Sequence, residues 1–118
     1  METVRYEGKT YNVFTVNSEF GNYRVICVPT RYRNDTLAIE LLTVDPDEYF
    51  ERFCVLTVNL CNPMFQSEKT AFVDTNNNAF AEKFIKKYKL GKDLYQTCSS
   101  GYCTYPLYEF YTEKFFAE

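Results

Sequence analysis

The residues best placed to do chemistry are carboxylates. Asp45, Asp47, Glu48 and Glu51 fall within one short stretch. Two of them could act as general acid and base, or several could supply oxygen ligands to a divalent cation. No glycine lies among them, which excludes an EF-hand loop, and acidic turns are usually solvated. Neither catalysis nor metal binding is therefore expected there. Cysteine nucleophiles need a thiolate, normally generated by a neighbouring histidine, and the chain contains no histidine. The same absence removes the commonest metal ligand. The five cysteines (Cys27, Cys54, Cys61, Cys98 and Cys103) show no paired C-x-x-C spacing, so a closed zinc site is not expected. Glycines stand at positions 8, 21, 91 and 101 and never cluster into a phosphate-binding loop. Ser99-Ser100-Gly101 reads as turn chemistry. The residue types point to a non-enzymatic protein with no catalytic residues, no cofactor and no metal.

The 118 residues are enough for one domain, 1–118, with a real hydrophobic core. Cys98 and Cys103 could be bridged across a tight turn. One such pair plus three free thiols does not make a secreted disulfide framework, so reduced cysteines and a cytoplasmic location are expected. Residues 1–6 lack a basic and then apolar leader, and no apolar run approaches membrane-spanning length.

The elements that must position these groups are mostly strands. Val4–Tyr6, the turn Glu7-Gly8-Lys9 and Tyr11–Val16 make a hairpin signal. Gly21-Asn22 marks a reversal into Tyr23–Val28, which Pro29 should stop, and 31–35 reads as a loop. Leu37–Val44 and a run ending at Cys54–Leu60 flank Asp45-Pro46-Asp47-Glu48, whose Asp and Pro suit a type I turn. The same residues satisfy a capping box for a short helix over 46–52. The β-branched runs on both sides favour the hairpin. Asn62-Pro63 should break the strand, and Ala71–Asp74 is a short candidate strand.

Phe80, Phe84, Ile85 and Tyr88 form one stripe of a helix over 79–90, with Asn78 as N-cap and Gly91 as the left-handed residue past its end. A loop at 92–101 leads to an aromatic strand over 102–111, an edge strand or one bulged at Pro106. Residues 112–118 suit a short terminal helix. These elements predict an α+β fold, an antiparallel sheet of about five or six strands with one main helix packed on one face.

Charge separates along this frame. Asp35 to Glu51 carries six acids and no base, whereas Lys83 to Lys92 carries five lysines and no acid, around a net charge of −3. That net charge opposes general nucleic-acid affinity. Eleven tyrosines exceed what a small core accommodates, because each buried hydroxyl needs a partner. Tyr6, Tyr11, Tyr23, Tyr32 and Tyr49 lie where some should reach solvent. Exposed tyrosine is enriched at protein interfaces and also stacks on bases. An acidic face flanked by tyrosine suits a basic protein surface, such as the nucleic-acid channel of a nuclease. The candidate partner-binding residues are Asp45, Asp47, Glu48, Tyr49 and Glu51. The alternatives are another protein partner, or single-stranded nucleic acid bound through tyrosines, Arg31, Arg33 and the helix lysines.

Three segments carry a resemblance: Leu56-Thr57-Val58-Asn59-Leu60, Ala71-Phe72-Val73-Asp74-Thr75-Asn76-Asn77, and Gly101-Tyr102-Cys103-Thr104-Tyr105-Pro106-Leu107-Tyr108. Over roughly Leu37 to Tyr108, including the helix end at Lys87–Gly91, the chain resembles an uncharacterised family of small bacterial proteins. Its members are carried largely by Gram-positive and gut bacteria, often on plasmids, conjugative elements and phages. The resemblance brings no assigned activity and no catalytic residues. It implies the company of mobile elements, whose small acidic proteins are often inhibitors of host defence, of anti-CRISPR or antirestriction type.

Overall fold

The computed structural model describes residues 1–47, 49–60 and 66–117. It contains ten strands, β1 (Thr3–Tyr6), β2 (Lys9–Asn12), β3 (Phe14–Ser18), β4 (Gly21–Arg31), β5 (Leu37–Val44), β6 (Phe50–Val55), β7 (Thr57–Val58), β8 (Thr70–Val73), β9 (Gly91–Ser100) and β10 (Cys103–Phe110). One α-helix, α1 (Ala81–Tyr88), precedes β9, and a 3₁₀ turn covers Thr112–Phe115. All strand pairs are antiparallel.

The expected single sheet with a main helix on one face is wrong. The strands form three sheets: the hairpin β1-β2, the sheet β3-β4-β5-β6 and the sheet β7-β8-β10-β9. The division happens at Leu56. Val55 still pairs with Glu40 of β5, and the Leu56 N–H still donates to the Ile39 carbonyl at 2.8 Å. Thr57 then pairs with Val73 of β8. Its hydroxyl takes over on β5 by accepting the Ile39 N–H at 3.1 Å. A side chain thus completes the ladder where the backbone turns away, and one apolar run serves two sheets.

The main core lies between the two four-stranded sheets. Val25, Cys27, Ile39 and Leu41 face Ala71, Val73, Tyr108 and Phe110, with Phe84 and Ile85 of α1 among them. The helix shares this core with the second sheet instead of covering a face by itself. Strand alternation sends Ile26, Leu42 and Val44 to the opposite side, where they meet Val4 and Tyr11 of the β1-β2 hairpin. Since β4 and β5 are covered on both faces, they read as near-continuous apolar runs.

Several local expectations change. Pro29 does not stop β4, which pairs through Arg31 with β5. Pairing with β3 ends at Val25, so the missing proline donor faces no ladder there. Residues 91–100 are a strand rather than a loop. β10 is an inner strand, flanked by β8 and β9, with its register shift between Pro106 and Tyr108. Asn78 is no N-cap: α1 begins after Phe80 without a side-chain cap. The left-handed residue at its end is Lys89 (φ 54°), not Gly91. The expected break at Asn62-Pro63 lies outside the described residues.

Candidate functional site

Pro46 and Asp47 form a turn, and β6 begins at Phe50, where the alternative reading placed the helix over 46–52. Asp45 builds this turn. Its Oδ1 accepts the N–H of Asp47 at 3.0 Å and of Tyr49 at 2.8 Å, while its own N–H donates to the Tyr49 carbonyl at 3.1 Å. A carboxylate occupied in this way organises the loop rather than waiting for a proton or a cation.

Asp47, Tyr49 and Glu51 stand differently. All three are exposed, Tyr49 by 71%. The side chains of Asp47 and Glu51 make no hydrogen bond or ion pair among the described residues. Glu48, the remaining expected site residue, lies outside the described residues. Glu40, further back in the acidic run, is held by Arg52 at 2.9 Å. Sequence proximity therefore translates into one hairpin end, with Asp45 as its scaffold and three neighbours pointing outward. Among the described residues no group of three or more Cys, Asp or Glu side chains is arranged to hold a metal.

The tyrosines divide. Tyr11 is buried in the hairpin core, and Tyr32 is half-buried with its hydroxyl 3.0 Å from that of Thr57. Tyr95 and Tyr102 are more exposed than any tyrosine singled out from the sequence. The cysteines are equally varied. Cys27 is fully buried and its thiol is pushed well above the ordinary range by that burial. Burial, then the nearby Asp74 carboxylate, pushes Cys54 up to about 12. Cys98 and Cys103 are free thiols. They sit diagonally, because Cys98 pairs with Tyr105 and Cys103 with Ser100. Cys61 lies outside the described residues.

Sequence reading missed an aromatic ladder. Tyr23 meets Phe53 (4.9 Å between ring centres), Phe53 meets Phe80 (5.7 Å), and Phe80 meets Phe84 (6.4 Å). Phe20 stands beside it, 83% exposed, in the two-residue turn joining β3 to β4. A signal was present, since Glu19-Phe20-Gly21 puts a large ring where turns usually carry polar residues.

Residues 28–117 match the model of a Domain of unknown function (DUF4313). The chain belongs to this family. The family match starts inside β4 and takes in the acidic hairpin, α1 and the whole β7-β8-β10-β9 sheet. No curated protein and no solved structure matches the chain. No helix among the described residues is long and apolar enough to cross a membrane.

Proposed function

We propose that this DUF4313 chain is a non-enzymatic binding module, and that the end of its β5-β6 hairpin docks on a basic protein surface. The observation that carries this reading is Tyr49. A large ring, 71% exposed, is fixed by the Asp45 turn between Asp47 and Glu51, whose carboxylates have no partner among the described residues. Exposed tyrosine supplies contact area at low entropic cost, and flanking carboxylates steer a cationic partner. The partner class we favour is a cytoplasmic host protein that binds nucleic acid through cations, such as a nucleic-acid-guided nuclease. The resemblance to proteins of mobile elements supports that class by association only.

The test is capture from bacterial lysate on the immobilised chain, comparing wild type with Asp47→Lys/Tyr49→Ala. Both side chains are exposed and make no hydrogen bond, ion pair or ring contact among the described residues, so the variant should fold. A partner retained by wild type and lost by the variant is the expected result. Equal retention by both overturns the assignment of the hairpin end. Retention of single-stranded DNA that falls steeply with salt would favour nucleic acid as the partner instead.

A further inference from the structure

Three shallow grooves adjoin along one side of the molecule. The first lies between β3 and α1, beside Lys83 and Lys87. It shares Asn17, Phe80 and Lys83 with a middle groove under the β3-β4 turn, where Phe20 and Phe53 lie. The middle groove shares Phe53 with a third, which runs past Tyr23 to Asp45 and Glu51. Lysines therefore mark one end of a continuous track, aromatic rings its centre and carboxylates its other end.

The remaining charges along it are mostly engaged elsewhere. In the middle groove the Glu82 carboxylate accepts the Tyr108 hydroxyl at 2.6 Å, leaving Glu19 as the other acid there. In the third groove Arg24 is paired with Glu2 and Arg52 with Glu40. Lys83, Lys87 and Glu51 are exposed and in no ion pair among the described residues.

We propose that this track is the interface of a two-fold homodimer. A two-fold rotation laid across the track reverses its direction, so the lysine end of each copy meets the carboxylate end of the other. The aromatic centre then meets itself on the axis, and Phe20 loses its exposure to water. A bipolar, apolar-centred surface is complementary to its own copy without further adjustment. Any other partner would need the same order of charges in reverse. An exposed ring set among half-buried ones, as Phe20 is beside Phe53 and Phe80, with a polar rim is a form that association surfaces take. Glu51 is common to this track and the hairpin end, whereas Asp47 and Tyr49 line none of the three grooves. Self-association is also read on the pure chain, so its failure and the failure of the partner reading are separable.

The experiment is sedimentation equilibrium of the pure 118-residue chain at low and high salt. Wild type should dimerise, more weakly as salt rises. Phe20→Glu, at an exposed turn position, should be monomeric with an unchanged circular dichroism spectrum. Glu51→Lys alone and Lys83→Glu/Lys87→Glu alone should also be monomers, because each places like charges opposite one another. An equimolar mixture of those two variants should recover a dimer with one copy of each, since both contacts are then attractive. A monomeric wild type at every concentration reached overturns the proposal. So does a dimer that survives Phe20→Glu, or a mixture that stays monomeric.

Discussion

The hydroxyl of Tyr108, on the inner strand β10, donates to the Glu82 carboxylate of α1 at 2.6 Å. Tyr108 is completely buried, so this bond is where the sheet and the helix are polar partners as well as apolar neighbours. Burial first, and then the Glu82 carboxylate, raise the tyrosine well above its ordinary range. Only the neutral phenol can donate the bond.

Tyr108→Phe keeps the ring and deletes the bond. Glu82 is only half-buried and can turn to water, so the loss should be about 1–2 kcal/mol in denaturant unfolding at neutral pH. The pH dependence follows from linkage. A folded pKa above the unfolded value of about 10 gives stability that is complete below about pH 10 and disappears as pH rises beyond it. Tyr6, Tyr11 and Tyr32 are raised in the same direction, burial being the main cause in each. Wild type should therefore lose stability steadily above about pH 10, and Tyr108→Phe should lose it with a shallower slope. Identical slopes would show that Tyr108 does not titrate with unfolding.

Asn78 separates two roles that a cap residue and a strand anchor would share in sequence. Its Nδ2 donates to the Val55 carbonyl at 2.9 Å, and the residue is buried. A helix cap accepts hydrogen bonds, so Asp would replace it at little cost. An anchor that donates to a carbonyl cannot be Asp. Asn78→Asp should lower stability by about 1–3 kcal/mol, at least as much as Asn78→Ala, because a buried carboxylate would then face a carbonyl oxygen. Thermal melts of the two variants decide it; a harmless Asp would restore the cap reading.

These residues also show what was legible in advance. β5 matches the strand read over 37–44, and β8 is Thr70–Val73 against the 71–74 expected, because β-branched and apolar residues dominate both. The β1-β2 hairpin and the Asp45 turn were marked by local turn chemistry. The rest depended on distant partners. Nothing local in Val55-Leu56-Thr57 says that the run changes sheets, since Ile39 supplies the reason from 18 residues away. Residues 91–100 are polar and only weakly alternating, and they are a strand because β10 pairs with them. At the candidate site the sequence grouped Asp45, Asp47 and Glu51, which lie together at one hairpin end. It could not say that Asp45 is consumed by its own turn, or that Phe20 and Phe53 would converge from different elements.

Gly91 is not the left-handed helix-end residue its position suggests, and it is needed for another reason. Its φ is not in the left-handed region, but a Cβ there would sit 2.7 Å from the Glu109 carbonyl oxygen. That atom belongs to the backbone of β10, where Gly91 pairs with Phe110. Gly91→Ala should therefore cost about 1–3 kcal/mol, by forcing apart the first residues of the β9-β10 pairing. Lys89→Gly should do the opposite. Lys89 occupies the left-handed position at the helix end, where glycine relieves the Cβ penalty, and a gain of about 0.5–1 kcal/mol is expected. Urea midpoints for the pair should move in opposite directions, and a shift in the same direction would refute this division of roles.

The thiols provide a readout of the β9-β10 register. Residues directly opposite have Cβ atoms about 4.5–5.5 Å apart, while diagonal neighbours are about 7–8 Å apart and need the backbone to move before they can be bridged. Cys98 and Cys103 are diagonal, so mild oxidation should leave both titratable. Ser100→Cys puts a thiol directly opposite Cys103 and should pair with it more readily. Among the four described cysteines of the native protein, an alkylating reagent should modify Cys98 and Cys103 first. Cys54 should follow slowly, since its thiol is held up to about 12, and Cys27 should react only on unfolding. Peptide mapping by mass spectrometry after timed alkylation would give this order. Early modification of Cys27, or facile oxidation of Cys98 with Cys103 in the wild type, would contradict the register and the core described above.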